Sequence, residues 1–407
     1  MDEPKCEDGP RVVHAPIDRL GTAGLWIRKQ LLAKILQGTT VLVLIQKHRT
    51  PKLTKLMKFF TFLGTEDFYV LLVVSFLWIL DARLGRLLGL LMAAAFYFGG
   101  AVKNLLSLPR PPSPPIIPLK KETDWGLPSH HALLGVNIPW YIWFYMYQNY
   151  QLEVPVAVVL FLTLAAWSFC VMFSRLYLGV HSPADVVAGG VLGCLLLSFW
   201  LQVDNVVDFY MTSINISYMI LVGVVILMLI HPDSYPLTIT YDDTMAMAGI
   251  TAGFAFGRGF ATHRVMYAIL DKYTISSLGM TKFVCFSGLR LVVGLCIYLV
   301  LKTVLYHGTC FLITGACQLW GITTVCIKRR QLVTENNPYY NSNFRLPDHK
   351  DGASQTAEKS LSLSESLGLL YENKIVNIEF VVKFITYSGV GWCAIHWLPA
   401  LYCYFGI

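Results

Sequence analysis

Stretches of about 20 mostly apolar residues, the length that crosses a bilayer core, recur along this chain from Phe59 to its end. Their spacing predicts membrane-crossing helices at roughly 59–80, 85–107, 130–148, 153–173, 184–202, 213–231, 243–262, 284–305, 308–326 and 378–404. The 243–262 stretch is rich in Gly and Ala, small residues that let helix backbones approach closely. Ahead of Phe59 the chain is polar and basic, interrupted by Ile35 to Ile45, an apolar stretch short for a span. From Lys328 to about Asn373, Asn, Ser, Asp, Lys and Glu prevail with little periodicity, as in a solvated and partly disordered loop. The chain therefore divides into a basic amino-terminal region (1–57), a multi-span domain (58–327), a polar loop (328–377) and a carboxyl-terminal transmembrane segment (378–407). No internal repeat is evident, which argues against a transporter built from two similar halves. The predicted fold is an all-α, polytopic membrane helix bundle.

Composition sharpens this picture. Of 407 residues 55% are hydrophobic and 14% charged, which excludes an ordinary soluble domain. The net charge of +7 sits in short flanks around the apolar runs, so the expected partner is a membrane and not a nucleic acid. Cys170, Cys194, Cys285, Cys296, Cys326, Cys393 and Cys403 lie within or at the ends of apolar segments, and no CxxC pair occurs. Neither a zinc site nor a disulfide framework is expected. The opening MDEPKCEDGP lacks the basic-then-apolar pattern of a cleaved signal peptide, leaving targeting to an internal span.

Three clusters carry candidate chemistry. In KNLLSLPRP, Lys103 closes a span and Arg110 follows seven residues later. The proline-rich continuation stiffens the exit, because proline cannot extend a helix. Cations at a span end are commonly snorkelling anchors. In GLPSHHA, Ser129 precedes His130 and His131 at the start of the next span. The serine suits a helix cap, and a helix amino end also suits a phosphate. The two histidines point in different directions, so one of them is expected to reach a substrate. In SRLYLGVHSPAD, Ser182, Pro183 and Asp185 form a capping pattern that leaves Arg175 and His181 unexplained. A carboxylate that fixes the tautomer of His181 would make it a nucleophile. Parity brings the clusters together: the first two share one loop, and two crossings return the third to the same face. Cations, histidines and one carboxylate at one locus suit phosphoryl transfer.

These clusters resemble the signatures of the type 2 phosphatidic acid phosphatase superfamily. Lys103 with Arg110-Pro111 fits KxxxxxxRP, Pro128 to His131 fits PSxH, and Ser174 to Asp185 fits SRxxxGxHxxxD. The resemblance implies a phosphatase-like helical core in which Lys103, Arg110, Ser129 and Arg175 bind phosphate, His131 is the acid, His181 the nucleophile and Asp185 its orienter. It implies a phosphohistidine intermediate with neither metal nor cofactor. His130 occupies the motif's variable position. RPPSPP, LYLGVHSPADVVAGG and FVVKFITYSGVGW resemble the sphingosine-1-phosphate and long-chain-base-phosphate phosphatases of the endoplasmic reticulum, and imply a phosphorylated sphingoid-base substrate. The alternatives are a phosphatase for phosphatidate or a polyprenyl phosphate, or a silent lipid-phosphate binder.

That resemblance also implies a luminal site. Arg83, Arg86, the 264–282 loop and Lys328-Arg329-Arg330 then become cytosolic, as the positive-inside rule asks, and the 232–242 loop, free of Lys and Arg, becomes luminal. Lys47, Arg49, Lys52, Lys55 and Lys58 disagree. Either that stretch lies in the interface as an amphipathic segment or the first span is misplaced.

Overall fold

The computed structural model describes residues 11–12, 15–120, 122, 124–211, 217–232, 238–256, 279–325, 344–345 and 375–406. The polar amino-terminal region folds into helices α1 (Thr22–Gln37), α2 (Thr39–Lys47) and α3 (Pro51–Phe62). The predicted 59–80 span is not one helix. Thr65 accepts a hydrogen bond from the Phe68 N–H at 3.4 Å and starts α4 (Glu66–Ser75), which continues through a π turn at Phe76–Leu80. The pair α3 and α4–π turn is bent by 54°. The basic stretch that disagreed with the charge rule runs along α2 and α3, at the loops of the three motifs. Arg49 donates to the Tyr177 and Ile117 carbonyls, each at 2.8 Å.

The bundle is organised around α5 (Ala82–Leu106), which packs against α6 (His130–Asn149), α8 (Pro183–Met211) and α10 (Thr240–Phe256). Two further helices, α7 (Val154–Tyr177) and α9 (Ser217–Ile230), lie outside it, against α6 and α10 respectively. Far from the motifs, the start of α5 is tied to the end of α8: Arg83 and Arg86 both donate to the Asp208 carboxylate, at 3.1 and 2.9 Å. The Gly- and Ala-rich α10 packs closely on α12 (Glu379–Trp392), as its small residues predicted; a Cβ at Gly249 would lie 2.6 Å from the Phe384 carbonyl. Helix α12 runs on through a π turn at Cys393–Trp397 to Leu398–Phe405.

The predicted 284–305 and 308–326 spans are a single helix, α11 (Met280–Leu319). No proline separates them, and Gly308 alone does not interrupt the hydrogen-bond ladder. Its 40 residues extend about 60 Å. One crossing replaces two, so the chain leaves α11 on the motif side. It re-enters there as well: Lys383 of α12 donates to Asp242 at the start of α10 at 2.7 Å, while at the opposite end Tyr402 donates to the Arg290 carbonyl of α11 at 2.8 Å. The cytosolic assignment of Lys328-Arg329-Arg330 falls on residues that are not described. Those three residues, the 257–278 stretch, Cys326 and nearly all of the 328–377 loop lie outside the described residues.

By length and composition α5, α7, α8 and α11 can cross a membrane, and the bent pair adds a fifth crossing where its two helices are counted as one span. The chain is a multi-pass membrane protein with an all-helical bundle. Ten spans were expected; α6, with its Asn137 and two histidines, and the shorter α9, α10 and α12 fall short of that measure and complete the bundle around the others. Two short parallel strand pairs, Arg11–Val12 with Phe344–Arg345 and Thr323–Val325 with Ile375–Asn377, are added to the expected all-α fold.

Candidate active site

Each motif sits where a helix ends or begins. Helix α5 stops because Ser107 takes a left-handed conformation (φ 44°), which leaves Lys103 buried in the last turn. The following proline-rich chain carries Arg110 inward. Ser129 caps α6, its Oγ accepting from the Ala132 N–H at 3.5 Å, and its own N–H donates to the Asp185 carbonyl at 3.0 Å. The cap of one motif is thus held by the first turn of another. Gly189, one turn further along α8, closes this joint: a Cβ there would collide with the Ser129 carbonyl. Between α7 and α8, Gly179 turns the chain with φ 71°, and a Cβ would press on Gln46 and Ile116. This explains the fixed glycine of the third motif.

At the centre lies His181, only 2% exposed. Arg110 Nη1 is 3.2 Å from His181 Nε2, and a guanidinium can only donate, so Nε2 presents its lone pair there. The proton is thereby assigned to Nδ1, which faces Asp185 Oδ2 at 3.4 Å. That carboxylate oxygen also accepts from the Ser182 N–H at 2.7 Å, and Ser182 Oγ accepts from the Asp185 N–H at 3.2 Å, so the carboxylate that faces the His181 ring also belongs to the predicted capping pattern. Burial, then Arg110, Arg175, Lys103 and His131, hold the His181 imidazole well below its ordinary value. It is neutral at physiological pH, as a nitrogen nucleophile must be.

The cations are not waiting bare. Asp124 takes both Lys103 Nζ and Arg110 Nη2, and its carbonyl accepts from Arg110 Nε at 3.0 Å. Arg110 Nη1 also donates to the Val180 carbonyl at 2.6 Å. Glu122 accepts from Arg175 at 2.9 Å and lies 3.1 Å from Lys120. Burial alone would raise both carboxyls, but the cations override it. Lys103 and Arg110 hold the Asp124 carboxyl far below the usual range, and Arg110 and Arg175 lower that of Glu122. Neither carboxylate was singled out from sequence. The signal was the charge imbalance: three cations drawn into one buried site need anions, and Glu122 and Asp124 lie in the loop joining the first two motifs.

Of the two histidines that open α6, His131 lies beside Gly64, where a Cβ would come within 3.1 Å of its ring. Gly64, in the bend between α3 and α4, makes room for it, and no sequence motif marked that glycine. Among the described residues His131 Nε2 is buried with no hydrogen-bond partner. His130 turns the other way and stacks on Phe96, ring centroids 5.4 Å apart. Lys103, Arg110, Ser129, His131, Arg175, His181 and Asp185 therefore gather at one end of α5–α8, with His130 directed into the helix packing. Among the described residues no three His, Cys, Asp or Glu side chains are grouped to hold a metal ion.

Comparison with known proteins places residues 84–207 on the model of the PAP2 superfamily. The sphingosine-1-phosphate phosphatase 1 of Rattus norvegicus is 28% identical over 290 residues, 69% of this chain and 66% of the relative, so the match spans just under two thirds of that protein. The Homo sapiens sphingosine-1-phosphate phosphatase 2 is 25% identical over 86% of this chain and 78% of its own length. A dihydrosphingosine 1-phosphate phosphatase of Schizosaccharomyces pombe is 23% identical over 92% and 90%. Among solved structures, a PAP2-type phosphatidylglycerolphosphate phosphatase from Bacillus subtilis aligns with a TM-score of 0.39 at 23% identity, covering 45% of this chain and 95% of that one.

Proposed function

We propose that this chain, which carries a PAP2 superfamily domain over residues 84–207, hydrolyses sphingoid-base phosphates such as sphingosine 1-phosphate and dihydrosphingosine 1-phosphate to free base and phosphate. The observation that carries the chemistry is His181. Its Nε2 lone pair lies against the Arg110 guanidinium while Nδ1 faces Asp185. The substrate class is supported by relatives whose names specify sphingoid phosphates and that align over most of this chain.

Lys103, Arg110 and Arg175 take the phosphate oxygens, aided by the capped amino end of α6 at Ser129. As the phosphate draws the Arg110 guanidinium onto its oxygens, the His181 Nε2 lone pair is freed and forms a bond to phosphorus while the bond from phosphorus to the lipid oxygen breaks. The departing alkoxide takes its proton from His131, which must enter the step as the imidazolium, a form the neighbouring phosphate dianion favours. Asp185 stabilises the charge that develops on the His181 ring. In the second half, water attacks the phosphohistidine, His131 receives the water proton, and the P–N bond electrons return to His181 as phosphate leaves. No step uses a metal. The location that goes with this reading is the endoplasmic reticulum membrane with the site luminal, supported by the family resemblance and by the Arg83 and Arg86 charges at the opposite end of α5.

The test is phosphate release by purified wild-type and His181→Ala protein, in detergent with excess chelator, across sphingosine phosphate, dihydrosphingosine phosphate, phosphatidate and a polyprenyl phosphate. Preference for the sphingoid bases, lost in the variant, is the expected result. Preference for another lipid would retain the chemistry and overturn the substrate. Restoration by Mg²⁺ of activity lost to the chelator would overturn the metal-free mechanism, and no turnover at all would make the chain a silent binder.

A further inference from the structure

Every cation assigned to the phosphate is already paired with a carboxylate. A phosphate that reaches Lys103 and Arg110 must therefore displace Asp124, whose side chain bridges the two. It meets Asp124 first, because the Asp124 side chain is 14% exposed while those of Lys103 and Arg110 are 2% and 7%. The displaced carboxylate loses the two cations that keep it ionised, and a buried carboxylate without a counter-charge is strongly disfavoured.

Glu122 and Asp124 differ in what they fall back on. When phosphate takes Arg175, Glu122 keeps Lys120, whose side chain is 49% exposed and reaches the site from its rim. Asp124 has no such second tier: among the described residues its side chain pairs with Lys103 and Arg110, both of which the phosphate claims. A substrate that carries its own cation next to the phosphate resolves this by exchange of partners. Phosphate takes the lysine and the arginine, and the substrate cation takes the aspartate.

We infer that Asp124 is a specificity-determining residue that binds the ammonium of a 2-amino-alkyl phosphate. The inference rests on the phosphatase reading above and deepens it. In such a molecule two carbons separate the amine from the ester oxygen, so the ammonium lies about one ion-pair length from the phosphate. That matches a carboxylate now bonded to two of the phosphate-binding cations. A phosphate monoester without an amine leaves Asp124 without a counter-charge, so the same residue that favours one substrate rejects the other. No bond is made or broken in this step. Asp124 acts on which lipid is held and leaves the chemistry to His181 and His131.

The experiment measures kcat/KM for dihydrosphingosine 1-phosphate, its N-methyl derivative, which keeps the positive charge, and its N-acetyl derivative, which loses it. The full-length protein is used in detergent, as wild type, D124N and D124E. Wild type is expected to favour the two charged substrates over the N-acetyl one by about tenfold or more. In D124N that ratio is expected to collapse toward one, and in D124E to recover in large part. A D124N protein in which all three substrates fall together, with the ratio kept, would overturn the inference in favour of a merely structural aspartate. Should D124N not fold, wild type alone decides, because equal losses for the N-methyl and N-acetyl substrates would show that bulk and not charge is read. Failure of wild type to hydrolyse any of the three would instead defeat the underlying phosphatase assignment.

Discussion

Helices α5 and α11 are both long and apolar, yet the less apolar of the two is the more buried. Over an 18-residue window α5 has mean hydropathy 1.5 with 72% of the window buried, whereas α11 reaches 2.3 with 11% buried. In water the order would be the reverse. Here lipid is the solvent, so a helix that faces it carries large apolar side chains all round, while the helix at the centre carries what its neighbours demand. In α5 these are glycines where partners approach and polar groups at the ends, including Lys103, Asn104 and Arg86. Burial in this protein marks function and close packing more than it marks hydrophobicity.

The contrast can be broken most sharply at the catalytic end. His181→Ala is expected to lower turnover by on the order of 10⁴-fold or more and to abolish a trapped phosphoenzyme, while His130→Ala, whose ring stacks on Phe96, is expected to keep substantial activity. Equal losses, measured as phosphate release and as acid-labile protein-bound phosphate, would show that the second motif is assigned to the wrong histidine. Asp185→Asn is expected to cost somewhat less, about 10³–10⁴-fold in kcat, because an amide cannot stabilise the imidazolium. Moving along the same helices away from the site, Leu88→Ala on α5, fully buried, is expected to destabilise the protein by about 2–5 kcal/mol. Val292→Ala on α11, 61% exposed, is expected to change it by no more than about 0.5 kcal/mol. Comparable shifts in thermal unfolding in a lipid nanodisc would remove the distinction between centre and rim.

The smallest effect concerns pH. A neutral-imidazole reagent inactivates an ordinary histidine progressively less as pH drops through 6.5, because the ring protonates. His181 is held well below that value, so it stays reactive at pH 6.5 and beneath. The rate of inactivation by diethylpyrocarbonate, with substrate protection to identify the site, is expected to show a midpoint clearly below 6.5. A midpoint at 6.5 would place His181 in contact with water.

The motif residues were legible because their spacing ties them to helix ends, and the count of crossings then puts those ends on one face. Lys103, Ser129, Arg175 and His181 needed no tertiary information beyond that parity. Asp124 and Glu122 did need it, since a carboxylate in a polar loop looks the same whether it faces water or a buried guanidinium. Arg49 was likewise read as a charge on the wrong side of a membrane, when it is in fact bonded to the Tyr177 and Ile117 carbonyls. The division of residues 284–326 into two spans failed for a different reason. A length rule assumes that helices stop where the bilayer does, and nothing between Leu305 and Gly308 obliges the backbone to stop.

The contact between Gly189 and the Ser129 carbonyl joins α6, which opens with His130 and His131, to α8, which begins two residues after His181. Membranes vary in thickness, and helices answer by tilting. Because α6 and α8 meet closely at these ends, a tilt of the pair is expected to carry His131 and the turn that holds His181 together, and to keep their separation the same in thin and thick bilayers.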